Sequence, residues 1–316
     1  MKLRKAIELY VAWRQSHGAR FETSACVLRQ FGRTFPEQTD CDGVTRGETC
    51  RFLAGSGPLT RARANRYGAL AGFYAYAISR GYAARTPLPA AEDEPRQPPP
   101  ALPYVFSRAE LERLFACLGN SFRHGWRLDG DTFRTFLLLL YGAGLRRSEA
   151  LQLSTNDVDL SDAVLTVRNT KFFKNRLVPV TPRLADALRA YAALRVERPL
   201  PAGTASTFLA YRDGTPVCPG TAHDAFSRLL ATAGIGQRDD GRRAPCLHSL
   251  RHSAAVHRVT AWYREGADVQ RLLPALSTWL GHANLEGTKV YLSMTPELLQ
   301  QASVRFDDYV NGASHE

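Results

Sequence analysis

Prolines concentrate in one stretch of the chain, RTPLPAAEDEPRQPPPALP, residues 85–103. Each proline locks φ and lacks an N–H, so this run can form neither a helix interior nor an inner strand. It reads as an extended connector and divides the 316 residues into a domain over 1–86, a linker over 87–103 and a larger domain over 104–316. The length suits two domains better than one.

The part before the connector reads as all-helical. Ile7, Tyr10, Val11 and Arg14 recur at helical spacing, and a longer helix is expected over roughly 60–80. Thr60 is its expected N-cap, Gly81 its C-cap, and Leu70, Phe73, Tyr74 and Ala77 its core stripe. Arg61, Arg63 and Arg66 crowd its N-terminal end, where cations oppose the helix dipole. A DNA backbone would favour them there; a solvated helix end is the competing explanation.

After the connector, Ser107 and Glu110 form a capping box ahead of the core face Leu111, Leu114, Phe115 and Leu118. A buried helix follows over Phe133–Tyr141, ending at GAG, and another begins at Arg147 or Ser148. Then the period changes. Val158, AVLTV (163–167) and RLVPV (176–180) are β-branched and alternating, which predicts a small antiparallel sheet with RNTKFFKN as its hairpin loop. Thr181–Pro182 caps the next helix, and the pattern stays helical from there on, with a C-terminal tail from about residue 296. The expected class is mainly α with a small antiparallel sheet in the second domain.

Composition narrows the function. Lys and Arg number 41 against 30 acids, a net charge of +11. Residues 1–90 hold 14 basic and 6 acidic residues, so +8 of the excess sits there. Such a domain points to nucleic acid, although an arginine-rich solvated surface would look the same. The longest apolar run, Leu137–Leu140 with its aromatic neighbours, is far too short for a membrane span, and the N-terminal residues lack an export-signal pattern. A cytoplasmic, nucleoid-associated protein is expected, with no membrane partner. The six cysteines form no CxxC pair and are expected as reduced, buried thiols.

The stretch LHSLRHSAAVH, 247–257, holds three of the eight histidines. His248 and His252, four apart, share a helix face as two zinc ligands would. The glutamate of an HExxH motif is absent, however. Arg251 between them would repel a dication, and no nearby Cys or Asp supplies a third ligand. No metal site is expected. Phosphate fits better, because a guanidinium offers a planar fork that matches two phosphate oxygens and histidine can donate or move a proton.

Three further stretches complete the pattern. GAGLRRSEALQL (142–153), HSLRH (248–252) and LGHANLEGTKVY (280–291) resemble the three signature boxes of the tyrosine recombinase, or phage integrase, family, and TKFFKNRLVPV (170–180) resembles its lysine-bearing β-hairpin. Each motif alone is weak; all stand in family order, with nine residues from His282 to Tyr291. RANRYGALAGFYAYAISRGY resembles the last helix of that family's core-binding domain.

The resemblance implies a two-domain DNA clamp and a role for each matched residue. Arg146 and Arg251 would hold the non-bridging oxygens of the scissile phosphate, with His248 as a donor and proton-transfer group and His282 as a further donor. Lys171 would protonate the leaving 5′-oxygen, with Lys174 as its nearby alternative and a DNA contact. Tyr291 would be the nucleophile that forms a 3′-phosphotyrosine. Glu149 would orient Arg146, His252 would support by packing or hydrogen bonding, and His257 would be structural. No cofactor is implied.

The resemblance also implies double-stranded DNA as partner and a homo-tetramer on DNA with C-terminal tails exchanged between subunits. Sister recombinases or accessory DNA-bending proteins fit the same picture. Two features depart from common bacterial members. The segment between Arg251 and His282 is longer, and Ser293 stands where many have histidine; the chain is similar to recombinases borne by transposable elements. A type IB topoisomerase shares the constellation but relaxes supercoils, and a non-catalytic DNA-binding regulator is the alternative from another class. The target site and the biological task, whether integration, excision, transposition or dimer resolution, are not legible.

Overall fold

Four α-helices are described in the first unit of the chain, and local signals start the third and stop the fourth. They are α1 (Leu3–Ser16), α2 (Glu22–Arg33), α3 (Arg46–Ala54) and α4 (Arg61–Ser79). In this computed structural model the described residues are 1–19, 21–55, 61–95, 102–122, 126–168, 175–236 and 243–282, with Thr288 and Ser303. The chain divides into two compact units, Met1–Pro100 and Ala101–Glu316.

Thr45 and Glu48 form a reciprocal capping box that starts α3. Gly81, at φ +69°, ends α4: its N–H meets the Ile78 carbonyl at 3.0 Å, and the Tyr82 N–H meets Ala77 at 2.8 Å. Those two bonds satisfy carbonyls the helix would otherwise leave bare, and glycine alone takes that φ without strain. The expected N-cap Thr60 lies outside the described residues. Leu70, Phe73, Tyr74 and Ala77 are fully buried and meet Ile7, Tyr10 and Val11 of α1 and Leu28 and Phe31 of α2 in one core.

The connector differs from its expected form. Leu88 enters the first unit's core, the Tyr67 hydroxyl donates to the Pro89 carbonyl at 3.0 Å, and Ala91–Asp93 make a short 3₁₀ turn. Arg63 forks onto both oxygens of Glu94 at 2.8 and 2.9 Å, with each side chain only 15% exposed. Prolines rule out long helix and inner strand there, but they do not prevent docking once acids in the segment find arginines.

In the second unit, α5 (Arg108–Ala116) starts at the Ser107–Glu110 capping box. The short α6 (Leu118–Ser121) leads to α7 (Gly130–Gly142), capped by Asp129. Then come α8 (Arg147–Gln152) and the strands β1 (Val158–Asp159), β2 (Val164–Val167) and β3 (Arg176–Pro179). The strands form an antiparallel sheet in the order β1-β2-β3, with Leu165 opposite Val178 and Val167 opposite Arg176. Thr181 and Pro182 open α9 (Pro182–Val196), and Pro219 opens α10 (Pro219–Thr232). The last long helices are α11 (Leu247–Arg264) and α12 (Val269–Leu280).

The apolar α7 is central. Phe133, Phe136, Leu137 and Leu140 are buried with Leu184 and Leu188 of α9, Leu229 of α10 and Leu250 of α11. A smaller core joins Ala255, Val256 and Val259 of α11 to Val269, Leu273, Leu276 and Leu280 of α12. Truncating one such leucine to alanine costs about 2–5 kcal/mol, so α11 and α12 are firmly seated. No helix among the described residues is long and apolar enough to cross a membrane.

The cysteines are only partly as expected. All six are free, but Cys41 alone is buried; Cys26, Cys218 and Cys246 are exposed. Cys218 and Cys246 stand at the N-caps of α10 and α11.

Candidate active site

The turn after α7 sets the first arginine. Gly144 takes φ +61°, and a Cβ there would stand 2.5 Å from the Trp279 ring, so only glycine fits. The chain reverses and Arg146 becomes the N-cap of α8. Glu149, in the first turn of α8, accepts the Arg146 backbone N–H at 2.8 Å and its Nη1 at 2.7 Å. A carboxylate at a helix N-terminus is favoured by the dipole as well. The Arg146 Nη2 then reaches the Gly281 carbonyl at 2.7 Å, leaving the side chain 29% exposed.

Helix α11 supplies the second arginine. His248, Arg251 and His252 lie in its first two turns, and Ser253 on the buried face accepts the Phe106 backbone N–H at 2.7 Å. Arg251 is 1% exposed; its Nη1 donates to the Gly144 carbonyl and its Nη2 to the Leu280 carbonyl at 2.5 Å. His252 packs edge-on against His248, with ring centroids 4.4 Å apart. His282 follows α12, and its Nδ1 lies 2.7 Å from the hydroxyl of buried Thr288.

Arg176 of β3 enters the same cluster. Its Nη1 and Nη2 fork onto the two Glu149 oxygens at 2.9 and 2.8 Å. Three guanidiniums against one carboxylate leave two positive charges in excess. Burial works to raise the Glu149 carboxyl, but the bonds and charge of Arg176, and the bonds from Arg146, outweigh it and hold it at about 2. It is ionised throughout the physiological range and serves as an anchor, with no proton to give.

The histidines are pushed the other way. Burial first, then the charges of Arg251 and Arg146, hold His248 and His282 down at about 4. Burial and the neighbouring His248 and Arg251 hold His252 at about 3. His248 keeps part of its surface open to solvent, and its ring is neutral at pH 7. A neutral imidazole has one donor and one acceptor nitrogen, so it can take a proton or hydrogen-bond an anion without adding charge.

Arg146, Glu149, His248, Arg251, His252 and His282 are therefore brought together from separate parts of the chain. Lys171, Lys174 and Tyr291 lie outside the described residues, as does the side chain of Arg61. Arg63 is held by Glu94, and Arg66 lies over the Phe52 ring, 5.7 Å from its centroid. His257 bonds Tyr141 at 2.9 Å, a packing role. Among the described residues no three His, Cys, Asp or Glu side chains gather as a metal set. Sequence reasoning missed Arg176. The available signal was its register, two residues before Val178 on the inward face of a strand, where a charge needs a partner.

Such a cationic grip, with neutral histidines beside it, has the charge and donors to hold an oxyanion, and its residues fall within the 107–297 span that matches the phage integrase family. The chain belongs to this family of tyrosine recombinases and is an enzyme of the site-specific recombinase type. Among its relatives, the integrase/recombinase-like chain y4rE of Sinorhizobium fredii is 36% identical over 305 residues, covering 96% of this chain and 95% of the relative. The tyrosine recombinase XerA of Thermococcus kodakarensis is 33% identical over 209 residues, 66% of this chain and 64% of the relative. In fold, the chain is similar to the Tn1549 transposon integrase in complex with transposon right end DNA, with a TM-score of 0.68 at 17% identity, covering 97% and 99% of the two chains. It is also similar to a lambda integrase dimer bound to a core site, with a TM-score of 0.65 at 16% identity, covering 92% and 77%.

Proposed function

We propose that this chain cuts and rejoins duplex DNA at specific sites, with Tyr291 as nucleophile and Arg146, Arg251, His248 and His282 around the scissile phosphate. The observation that supports this reading most is the meeting of Arg146, Arg251, His248 and His282 beside the C-terminus of α12, His282 standing nine residues before Tyr291. In the first step a bond forms between the Tyr291 phenolic oxygen and phosphorus, and the bond from phosphorus to the 5′-oxygen breaks. The phenolic proton passes to a base, for which neutral His248 is suited, and Lys171 protonates the departing 5′-oxygen. The second step runs the exchange backwards with a 5′-hydroxyl of the partner strand.

Forming a phenolate at pH 7 from a tyrosine that titrates near ~10 costs about 4 kcal/mol. A base beside it and two guanidiniums preorganised for the developing phosphorane charge lower that cost and supply most of the acceleration. Bond energy is kept in the phosphotyrosine, so the chemistry calls for no metal or high-energy cofactor.

In this reading residues 1–86 are a DNA-binding domain, 87–103 the linker and 104–316 the catalytic domain. The functional assembly is a homo-tetramer on DNA with exchanged tails, with sister recombinases or DNA-bending proteins as accessories and integration, excision or transposition as the task. DNA affinity should fall steeply with salt. The test is a nicked suicide duplex carrying the junction sequences of the element that encodes the chain. The parent is expected to form a covalent protein–DNA adduct and Tyr291→Phe none. An adduct that survives the substitution removes Tyr291 as nucleophile. A two-site plasmid yielding only relaxed circles would assign the chain to the topoisomerases.

A further inference from the structure

We propose that Arg176 is a positioning residue of this recombinase: it fills Glu149 and the end of α12 so that Arg146 stays free to meet phosphate. The inference rests on the function proposed above. A helix leaves its last carbonyls without partners. Here Gly281, at φ +67°, turns the chain so that its own N–H meets Thr278 at 2.9 Å and the His282 N–H meets Ser277 at 3.0 Å. The next three carbonyls are each taken by a different arginine: Trp279 by the Arg176 Nε at 3.2 Å, Leu280 by Arg251, and Gly281 by Arg146. Cations at a helix C-terminus are also favoured by its dipole.

The Glu149 carboxylate is saturated in the same way. Each oxygen accepts twice, Oε1 from the Nη1 atoms of Arg146 and Arg176, Oε2 from the Arg146 backbone N–H and Arg176 Nη2. With Arg176 in place, Arg146 makes only one side-chain bond to Glu149 and one to Gly281 among the described residues. A guanidinium has five N–H groups, so Arg146 keeps donors for a ligand. Without Arg176, Glu149 would be a buried anion short of partners. The least costly remedy is for Arg146 to swing into a two-pronged bond with it, giving up Gly281 and the phosphate.

The position of Arg176 makes this possible. It is the first residue of β3, paired with Val167 at the end of β2, with its side chain 10% exposed. A Cβ on Gly281 would lie 2.7 Å from its Nη1 and 2.8 Å from its Cζ, so the glycine also clears the space that Arg176 fills. One residue thus ties the base of the hairpin that carries Lys171 to the first arginine of the grip and to the chain that leads to Tyr291. Lysine cannot replace it, because a single ammonium cannot fork onto Glu149 and reach the Trp279 carbonyl together.

The test is single-turnover adduct formation on the suicide duplex, with DNA affinity measured separately. Arg176→Gln is expected to slow cleavage at saturating DNA by about 100-fold, the scale of a small misplacement at a reacting centre, while DNA affinity is unchanged. Arg176→Lys is expected to recover little of the loss. Because Arg176 acts through Glu149, the E149Q/R176Q double variant should cleave as fast as E149Q alone. That double variant also restores a neutral hydrogen-bonded pair, so it remains informative if R176Q folds poorly. Parental cleavage rates in R176Q, full rescue by lysine, or multiplicative losses in the double variant would each overturn the assignment. Parent and Tyr291→Phe run alongside; a parent that forms no adduct faults the proposed function rather than Arg176.

Discussion

Replacing Glu149 by glutamine removes the one anion that bridges Arg146 and Arg176 among the described residues, while keeping the shape of the side chain. The carboxylate is 6% exposed and is held at about 2 against an ordinary 4.5. A carboxyl whose folded value is depressed stabilises the fold above its unfolded value, and that contribution is lost as pH falls through 4.5 towards 2. At about 1.4 kcal/mol for each pH unit between the two values, the contribution is about 3 kcal/mol at pH 7, with about 2 kcal/mol of it gone by pH 3. Glutamine also leaves two guanidiniums without an anion, a cost present at every pH. The assay is denaturant unfolding at pH 7, 5 and 3 and constant ionic strength, followed by circular dichroism and tryptophan fluorescence. Carboxylates common to both proteins cancel in the difference. The parent should be the more stable at pH 7, with its advantage shrinking by about 2 kcal/mol at pH 3. A difference that stays constant from pH 7 to pH 3 refutes the assignment of Glu149 as an ionised anchor.

Two further outcomes arise from the charges. His248 and His282 should stay neutral in the free protein until pH falls well below 6, because burial and the neighbouring arginines favour the neutral ring; stability is then lost as pH drops from 6.5 towards 4, and nitrogen NMR of the rings checks it, with titration near 6.5 as the contrary result. Arg63→Ala should release residues 85–95, seen as faster amide exchange there, and leave the salt dependence of DNA binding unaltered; a salt slope lower by about 1 would instead mark Arg63 as a phosphate contact.

Much of the fold was legible because helix starts and stops are local. Ser107 with Glu110, Thr181 with Pro182, and Gly81 each act on backbone groups within a few residues, and each did so. The antiparallel hairpin was legible from alternation for the same reason. The site was legible in part: the motif residues Arg146, His248, Arg251 and His282 were named, and they meet. The docking of the connector was not foreseen, since proline chemistry says what a segment cannot form and nothing about which arginine its acids will find. Nor was the exposure of Cys26, Cys218 and Cys246, because composition treats a thiol as apolar wherever on its helix it stands.

Chain order alone supplies an inventory: which side chains could grip a phosphate, in what succession, and on which local elements. Which of them bond one another is settled by packing. Arg146 reaches Gly281 across 135 residues, Arg251 reaches Gly144 across 107, and Arg176 reaches Glu149 across 27. Hydrogen bonds act over about 3 Å, a separation that no spacing along the chain encodes. The ionised Glu149 and the neutral histidines come from those same short distances and from the burial that strengthens each charge on its neighbours.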